Sequence, residues 1–396
     1  MKPTLLLGLL AAGWACAGEQ PVQPMEPSHP ILQATQAAAG YQMIDLGTLG
    51  GTRAFPNALN DAGQVVGWYS GADYARHAFL WQSGSMQDLF PENGSSDAQV
   101  ITQDGVILGE RDRFGGPGGS TCVAAYLFMS NDGVTTDLNG ASSCGGLRVI
   151  GMTESGSIVE TVVGEQNSRA YIWGGGVQQS LGSLKALWGY ATATAVNNKG
   201  QIVGYSPVEN QAGFYINHPF IWEDGAMRDL GILAEFPCDE NPAKNCGNGQ
   251  ALAINSKGDV VGGSNNHAVM WTGAGIVDLG AGSPLDGAAA LAINEPGEVV
   301  GYIGMNAFDW RKGALSVLPS LGGPSKAVAL NEAGVIAGTS TSPSGEQHAV
   351  VWQGGQIVDL GVGEAVAING NGDVIGTSGG HAILWRRAPA DEVAQQ

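Results

Sequence analysis

The residue types best suited to chemistry recur along this chain at fixed positions. Five of the six histidines stand four residues before a tryptophan, and these are His77, His218, His267, His348 and His381. Histidine titrates near neutral pH, so a ring of histidines could supply general bases or metal ligands. The other interpretation is a repeated hydrogen bond to the aspartate of the next strand, as between His77 and Asp88. Because features shared by every repeat usually serve the fold, we predict the structural role and no metal site.

The tryptophans and aspartates follow the same rule. Seven of the ten tryptophans end the same apolar segment, at Trp81, Trp173, Trp222, Trp271, Trp310, Trp352 and Trp385. Aromatic rows can bind sugars, but we predict that these rings are buried between repeats, each removing roughly 150–250 Å² from water. The aspartates of the recurring Asp-Leu pair are predicted to accept local hydrogen bonds, because catalytic carboxylates are paired at one site. The chain has no GxSxG, HExxH, P-loop or EF-hand motif, so we predict no catalytic residue and no cofactor.

The first 40 residues are predicted to be a leader and a tether. Residues 1–18 combine Lys2 with a short apolar core, as export signals do. Residues 13–16 resemble a lipobox, which makes Cys16 the predicted lipidated residue, while residues 15–17 also fit cleavage by ordinary signal peptidase. Residues 19–40 are Pro-rich and aperiodic, which is typical of a flexible linker. We therefore predict an exported bacterial protein that is extracellular or held as a lipoprotein in the outer envelope.

The remaining cysteines are Cys122, Cys144, Cys238 and Cys246. An even number of cysteines in an exported chain favours disulfides. Three pairings are possible, and we prefer the local one, which joins Cys122 to Cys144 and Cys238 to Cys246. A metal site is the alternative, but the four thiols lack CxxC spacing.

The charge balance limits the partners that this chain can bind. Seventeen lysines and arginines stand against 36 aspartates and glutamates, which gives a net charge of −19. Nucleic-acid binding requires cations against phosphates, so we exclude that partner. After the leader, no apolar stretch approaches the roughly 18 residues of a membrane span. We predict a monomer whose one possible membrane attachment is a lipid on Cys16.

The recurring residues belong to a repeat that is marked by one turn. The turn has four residues and ends in glycine, at 60–63, 102–105, 153–156, 197–200, 255–258, 294–297, 331–334 and 369–372. Six of the eight turns begin with asparagine, and successive glycines are 37 to 58 residues apart. The first residue can bond to backbone two residues on, and the glycine supplies the positive φ that a three-residue hairpin loop requires.

Four short strands surround each turn, which predicts the blade of a β-propeller. The eighth unit stops after its third strand at Trp385, whereas an unassigned strand at 42–46 precedes the first unit. We predict an all-β, eight-bladed β-propeller of four-stranded antiparallel blades over residues 41–386. The N-terminal strand completes the last blade and closes the ring, which removes exposed sheet edges. Blade 3 is the weakest copy, so seven blades is the alternative, and residues 387–396 are predicted to form a disordered tail.

Three segments resemble the bacterial HAF-repeat family of extracellular proteins. They are DLGTLGG at 45–51, QVVG at 64–67 and HAFLW at 77–81. The resemblance covers nearly all of residues 43–386 and implies export and a propeller-like repeat fold. It implies no established reaction, cofactor or substrate. Units 2, 3 and 6 lack the histidine, which argues against a role that needs one histidine per blade.

The two faces of the predicted propeller differ in their loops. The loops that join strands one to two and three to four are short and form what we call the turn face. The long insertions, at 110–123, 181–191, 205–217 and 231–249, fall on the opposite side, the loop face, and variable loops on a rigid scaffold are where function concentrates. The aromatics of the loop face are the predicted binding residues: Trp68, Tyr69, Tyr74, Phe114, Trp188, Tyr190, Phe214, Tyr215 and Phe236. They can stack on a glycan or grip a protein, or else only hold the loops.

These observations predict a non-enzymatic binding or scaffold module that recognises an extracellular glycan or protein on its loop face. The alternative is a propeller enzyme, a hydrolase or lyase that acts on polysaccharide. That enzyme needs at least two acidic side chains that converge near the channel mouth. The candidate carboxylates in the loops are Glu209, Glu235, Asp239 and Glu240.

Overall fold

A computed structural model describes residues 40–91, 94–113, 124–138, 146–164, 168–185, 189–209, 213, 215–233, 248–282 and 286–388. Within these ranges the regular structure consists of β-strands, which form eight four-stranded antiparallel sheets. No helix in the described residues is long and apolar enough to cross a membrane. The predicted signal peptide, Cys16, the Pro-rich linker up to residue 39 and the tail from residue 389 lie outside the described residues.

Each sheet is one blade, and the strands run outward in chain order from the first strand. The closing strand is β1 (Tyr41–Gly47). Blade 1 contains β2 (Arg53–Leu59), β3 (Val65–Ser70), β4 (Arg76–Gln82) and β5 (Ser85–Asp88), and blade 2 contains β6 (Ser96–Ile101), β7 (Ile107–Arg113), β8 (Ala124–Asn131) and β9 (Val134–Asp137). Blade 3 contains β10 (Gly146–Met152), β11 (Ile158–Val163), β12 (Ser168–Gly174) and β13 (Val177–Ser180), and blade 4 contains β14 (Thr192–Val196), β15 (Ile202–Glu209), β16 (Tyr215–Glu223) and β17 (Ala226–Asp229).

The second half of the ring repeats this pattern. Blade 5 contains β18 (Gly249–Ile254), β19 (Val260–Ser264), β20 (His267–Thr272) and β21 (Gly275–Ala281), and blade 6 contains β22 (Ala288–Ile293), β23 (Val299–Ile303), β24 (Asn306–Arg311) and β25 (Ala314–Val317). Blade 7 contains β26 (Ser325–Leu330), β27 (Ile336–Thr341), β28 (Gln347–Gln353) and β29 (Gln356–Val362). Blade 8 contains β30 (Glu364–Ile368), β31 (Val374–Ser378) and β32 (His381–Arg387), with β1 as its outer strand.

The ring closes as the sequence predicts. Strand β1 pairs antiparallel with β32, so that Met43 lies opposite Trp385. The first strands of neighbouring blades contact one another around the whole ring, including β2 with β30. The protein is therefore an eight-bladed β-propeller, and the seven-bladed alternative is wrong. Strand β32 extends one residue beyond the predicted boundary at 386, and Ala388 still donates to the Gly40 carbonyl at 2.8 Å.

The turn asparagines bond both within their own blade and across to the next one. The Oδ1 atom of Asn60 accepts from the Gln64 amide at 3.0 Å, while its Nδ2 atom donates to the Thr102 carbonyl at 3.2 Å. The Nδ2 atom of Asn369 donates to the Asn60 carbonyl at 3.1 Å and so joins the last turn to the first. The predicted bond to backbone two residues on also occurs, from the Lys199 amide to Asn197 at 3.1 Å. The turn asparagines therefore link neighbouring blades in addition to stabilising their own turns.

The core lies in the seams between blades. The seam between blades 8 and 1 buries Val65, Phe79 and Trp81 against Ile375 and Leu384. The described tryptophans of the third strands pack in these seams, and the indole N–H of Trp271, Trp352 and Trp385 donates to a carbonyl of the preceding blade. This confirms that the repeated tryptophans serve the fold.

Candidate functional site

The repeated histidines make the predicted structural bond in four blades. The Nδ1 atoms of His218, His267 and His381 lie 2.9 Å from Asp229, Asp278 and Asp45, and His348 lies 2.8 Å from Asp359. Each aspartate also accepts from a backbone amide two residues on, as Asp229 does from Gly231 at 2.8 Å. The His218 bond and this amide hold the pKa of Asp229 below its usual value against the opposing effect of burial. These pairs are fixed parts of the blades.

Blade 1 departs from this pattern, and the predicted bond from His77 to Asp88 is wrong. The two groups are 3.9 Å apart, because the Tyr69 hydroxyl donates to Asp88 at 2.8 Å. The Nε2 atom of His77 lies 3.1 Å from Asp73 instead, and this contact lowers the pKa of the Asp73 carboxyl. Burial, together with the bond to Asp88, raises the pKa of the Tyr69 hydroxyl. Tyr69 is therefore a structural residue in the seam with blade 8.

A cavity of about 630 Å³ opens at the loop-face ends of the inner strands of blades 1 to 4. We call it the mouth cavity. Its polar wall consists of Asn57, Arg76, Asp97, Gln99, Glu110 and Arg148. Apolar side chains, Ile150 and Val163 among them, form the rest of its lining together with Gly146 and Thr194.

Two carboxyl groups of blade 2 stand side by side in the mouth cavity. Asp97 and Glu110 are directly opposite each other on the paired strands β6 and β7. Asp97 accepts from the Asn57 amide at 2.7 Å, and Glu110 accepts from the Leu147 amide of blade 3 at 2.6 Å. Each carboxyl therefore uses one oxygen for the fold, while the other oxygen accepts no hydrogen bond from the described residues.

Burial raises the pKa of both carboxyls. Loss of solvation raises the pKa of Asp97 to about 6, with the Arg76 charge opposing the shift. Loss of solvation likewise raises the pKa of Glu110 to about 7, and the charges of Asp97 and Asp112 add to the effect. Two neighbouring acids that titrate between pH 5 and 8 in a cleft are typical of functional sites, although structural groups also shift.

Two arginines flank these carboxyls. The Arg76 guanidinium lies 4.4 Å from the centre of the Trp68 ring, which in turn stacks on Phe55 at 4.5 Å. Its Nη1 atom is 4.0 Å from Asp97, at the limit of an ion pair. Arg148 of blade 3 is exposed on the cavity wall, and no ion pair, hydrogen bond or ring contact to its side chain occurs among the described residues. The cavity thus presents one tethered and one free guanidinium.

The two remaining polar side chains of the wall are committed to the fold. The amide of Gln99 accepts from Val149 at 2.7 Å and donates to Leu147 at 3.1 Å, which joins blade 2 to blade 3. The hydroxyl of Thr194 is 2.8 Å from the Ala251 carbonyl of blade 5. The groups left for a ligand are therefore the two guanidiniums, one oxygen from each carboxyl and the Oδ1 atom of Asn57, whose Nδ2 atom bonds to Asp97 and Ala98.

None of the predicted aromatic residues that the structure describes lines this cavity. Trp68 lies behind Arg76, and Tyr69 faces the opposite seam. Tyr74 is 87% exposed on a blade 1 loop, Tyr215 is 50% exposed at the start of β16, and Tyr190 has the Arg169 guanidinium 5.7 Å from its ring centre. Phe114, Trp188, Phe214 and Phe236 lie outside the described residues.

The predicted carboxylates and cysteines are also placed elsewhere or not described. Glu209 is exposed at the end of β15 and does not line the mouth cavity. Glu235, Asp239 and Glu240 lie outside the described residues, as do Cys122, Cys144, Cys238 and Cys246. Among the residues that the structure covers, no group of three histidine, cysteine, aspartate or glutamate side chains could hold a metal ion.

Sequence reasoning missed Arg76, Asp97, Glu110 and Arg148, although the repeat contains a signal for three of them. Phe55, Asp97 and Arg148 each stand five residues before the first residue of a turn, and Trp68 and Glu110 each stand five residues after the last. Aligned on the turn, these positions change character from blade to blade. Variation at these positions of the first and second strands, and not the aromatic content of the loops, is therefore the sequence signal that marks this cavity.

The comparisons with known proteins concern the fold. No protein-family model matches the chain, and no curated protein does. Three solved structures resemble it at 12% sequence identity: the β-propeller domain of the Trilobed protease from Pyrococcus furiosus (TM-score 0.49, 78% of this chain and 98% of that chain), a streptogramin B lyase (0.49, 89% and 100%) and dipeptidyl peptidase 4 of Porphyromonas gingivalis (0.50, 84% and 56%). The chain spans little more than half the length of that peptidase. At this identity the similarity extends to the propeller fold alone.

Proposed function

We propose that this protein is an exported, non-enzymatic binding propeller that holds a glycan in the mouth cavity of its loop face. The observation that carries the proposal is the cavity itself, a concave site whose polar atoms the fold leaves partly unused. Export is supported by the leader-like residues 1–18 and by the resemblance to the HAF-repeat family.

The shape of the site favours a glycan over a protein partner. Ligand sites for small molecules are clefts of roughly 300–1,000 Å³, and the mouth cavity of about 630 Å³ falls in that range. A stable protein interface instead buries about 1,600 Å² of rather flat surface around aromatic anchors. The aromatic candidates that the structure describes are scattered over separate blades and loops, so they do not form such a patch.

The chemistry of the site also suits a sugar. A hydroxyl both donates and accepts, and the cavity offers acceptors on Asp97 and Glu110 beside the donors of Arg76 and Arg148. Bonds to ionised groups are about twice as strong as neutral ones, so few of them fix an otherwise weakly held ligand. The stacked Phe55 and Trp68 hold Arg76 at the rim, which limits the entropy lost when it binds.

The proposal is tested by a glycan-array screen of the purified protein with three matched variants. Glu110→Gln keeps an oxygen for the Leu147 amide but changes the cavity, whereas Tyr74→Ala removes the most exposed loop aromatic. Glu154→Gln, exposed in the turn of blade 3, controls for the loss of one carboxylate. We expect glycan binding whose affinity changes at least about tenfold in Glu110→Gln and stays unchanged in the other two variants. Binding that is lost in Tyr74→Ala alone would move the site to the loop, and a folded protein that binds no glycan would reject the proposal.

One observation favours a second candidate, a propeller enzyme acting on polysaccharide. Asp97 and Glu110 stand opposite each other, and a carboxyl with a pKa of about 7 can act as a general acid at neutral pH. The discriminating measurement is the appearance of new reducing ends or unsaturated products from polysaccharides mixed with the protein. Products that vanish in Glu110→Gln would replace the binding function by catalysis, while their absence alongside glycan binding supports the module.

A further inference from the structure

We infer that the glycan carries a carboxylate, which Arg148 of blade 3 and Arg76 of blade 1 bind from opposite sides of the blade 2 carboxyls. The inference rests on the proposed function and names its ligand class, an acidic saccharide. It stands on the geometry of four charged groups around one cavity.

The first step concerns Arg148, which lacks a counter-ion in the described part of the chain. Arg111 of blade 2, by contrast, is neutralised by two bonds of 2.6 Å to Asp137. The cation at the equivalent inner-strand position of blade 7, Lys326, lies 5.1 Å from the centre of the Tyr302 ring. Arg148 instead presents a guanidinium to the cavity, and such a planar fork binds a carboxylate through two parallel hydrogen bonds.

The second step concerns Arg76, which is held in position but not neutralised. The Trp68 ring supports it from behind, and the 4.0 Å separation from Asp97 is longer than a hydrogen-bonded ion pair. Its side chain is 55% exposed, so the guanidinium can also contact a ligand. Two arginines on one cavity wall are unusual in a chain with a net charge of −19 and 17 basic residues.

The third step is the charge balance of the cavity. Glu110 is faced by Asp97 and Asp112 on its own blade, by Arg76 of blade 1 and by the cavity wall that carries Arg148. Near pH 5 the Asp97 and Glu110 carboxyls are largely protonated, so the two guanidiniums dominate and the cavity attracts an anion. Near pH 8 both carboxyls are largely charged and offset the arginines. Binding of an acidic saccharide therefore takes up protons and weakens as the pH rises.

The test is calorimetric titration of the full chain with trigalacturonic acid and with neutral galactotriose. At about pH 5 we expect the acidic sugar to bind at least about tenfold more tightly than the neutral one, and this advantage to shrink at about pH 8. Arg148→Gln should remove most of the advantage without changing the melting temperature, since the side chain holds no other residue. The matched control Arg228→Gln, on the exposed outer strand β17, should leave it intact.

The outcomes separate this inference from the function on which it rests. Equal binding of both sugars, weakened by Glu110→Gln but not by Arg148→Gln, would overturn the acidic ligand and keep the glycan site. Binding of trialanine in place of either sugar, lost in Arg148→Gln, would overturn the saccharide and assign the site to a peptide carboxylate. Failure of every sugar to bind a folded protein would reject both proposals.

Discussion

The turn face and the loop face are formed by opposite ends of the same inner strands, but they differ in how far the repeats keep the same residues. At the turn face, Asn60 bonds its own turn and the next blade, so a change there disturbs two blades. At the loop face, the position five residues before each turn holds Phe55, Asp97 and Arg148 in successive blades. The difference shows that residue identity is kept across the repeats where a side chain joins blades, and varies at the loop-face end of the inner strands.

The strictest constraint lies between the two faces, at the glycine that stands four residues after seven of the eight turns. A Cβ atom on Gly67 would stand 2.0 Å from the Phe55 carbonyl oxygen, which is backbone and cannot rotate away. We expect Gly67→Ala to destabilise the protein by about 4 kcal/mol in urea denaturation, since both strands must shift.

The control for this prediction is Gly273→Ala. No atom lies within 4 Å of the Cβ that this substitution would add, so the stability should change by less than about 0.5 kcal/mol. If Gly67→Ala proved as mild as the control, close approach of the strands would not be what preserves this glycine in the repeat.

The second prediction concerns Asn369, the turn asparagine that links the last blade to the first. Asn369→Ala removes the acceptor of the Asp373 amide at 2.8 Å and the donor to the Asn60 carbonyl at 3.1 Å, both in a buried turn. We expect a loss of about 2–3 kcal/mol in the same denaturation experiment, because buried backbone groups are left unpaired. Asn371→Ala, two residues away and exposed, removes a single bond to Asp61 and should cost about 1 kcal/mol or less. Equal losses would show that the ring bond between blades adds nothing to the turn.

The third prediction concerns blade 3, which carries Glu160 where the other blades have this glycine. Its side chain is fully buried, with one oxygen bonded to Gln178 at 2.5 Å and the other without a partner. Burial raises the pKa of the Glu160 carboxyl in the folded protein. The folded state therefore holds the proton more tightly than the unfolded state, so this stabilisation is present at low pH and is lost as the pH rises from the unfolded value toward the folded one.

Glu160→Gln should remove that pH dependence. At neutral pH we expect the variant to be about 1 kcal/mol more stable than the native chain, because no buried charge has to form. Near pH 4 this difference in stability between the variant and the native chain should shrink or change sign. The measurement is the melting temperature of both proteins across this range, and parallel curves would show that Glu160 does not titrate with folding.

Most of the fold was predictable because short local sequence patterns determine each blade and these patterns are repeated. Eight copies of one turn, with Gly63 at φ 76° as an example, predict the hairpins, and the unpaired strands at the two termini predict the closure. The bond that joins His381 to Asp45 links residues from opposite ends of the chain, yet its counterparts in other blades are local. Repetition thus turned a long-range contact into a short-range pattern.

The candidate site was not predictable in the same way. Arg76, Asp97 and Arg148 belong to three blades and meet because the ring brings inner strands together. The aromatics of the loop face were predicted to bind the ligand, but Trp68 supports a neighbouring guanidinium instead of lining the cavity. His77 misled for a related reason, since the competing hydroxyl of Tyr69 is specific to blade 1.

The smallest effect is expected from adding a turn asparagine to blade 2, whose turn begins with a threonine. Thr102 begins the turn of blade 2, where its hydroxyl accepts from the Val106 amide at 3.0 Å, as turn asparagines accept from theirs. A threonine has no second donor to reach blade 3, whereas Asn255 donates to the Asn294 carbonyl of the following blade at 3.3 Å. Thr102→Asn should therefore add one bond between blades and stabilise the protein by about 0.5–1 kcal/mol in denaturation. Thr102→Ser, which keeps only the acceptor, should give no gain. A gain of similar size in both variants would assign the effect to the turn itself and not to a new bond between blades 2 and 3.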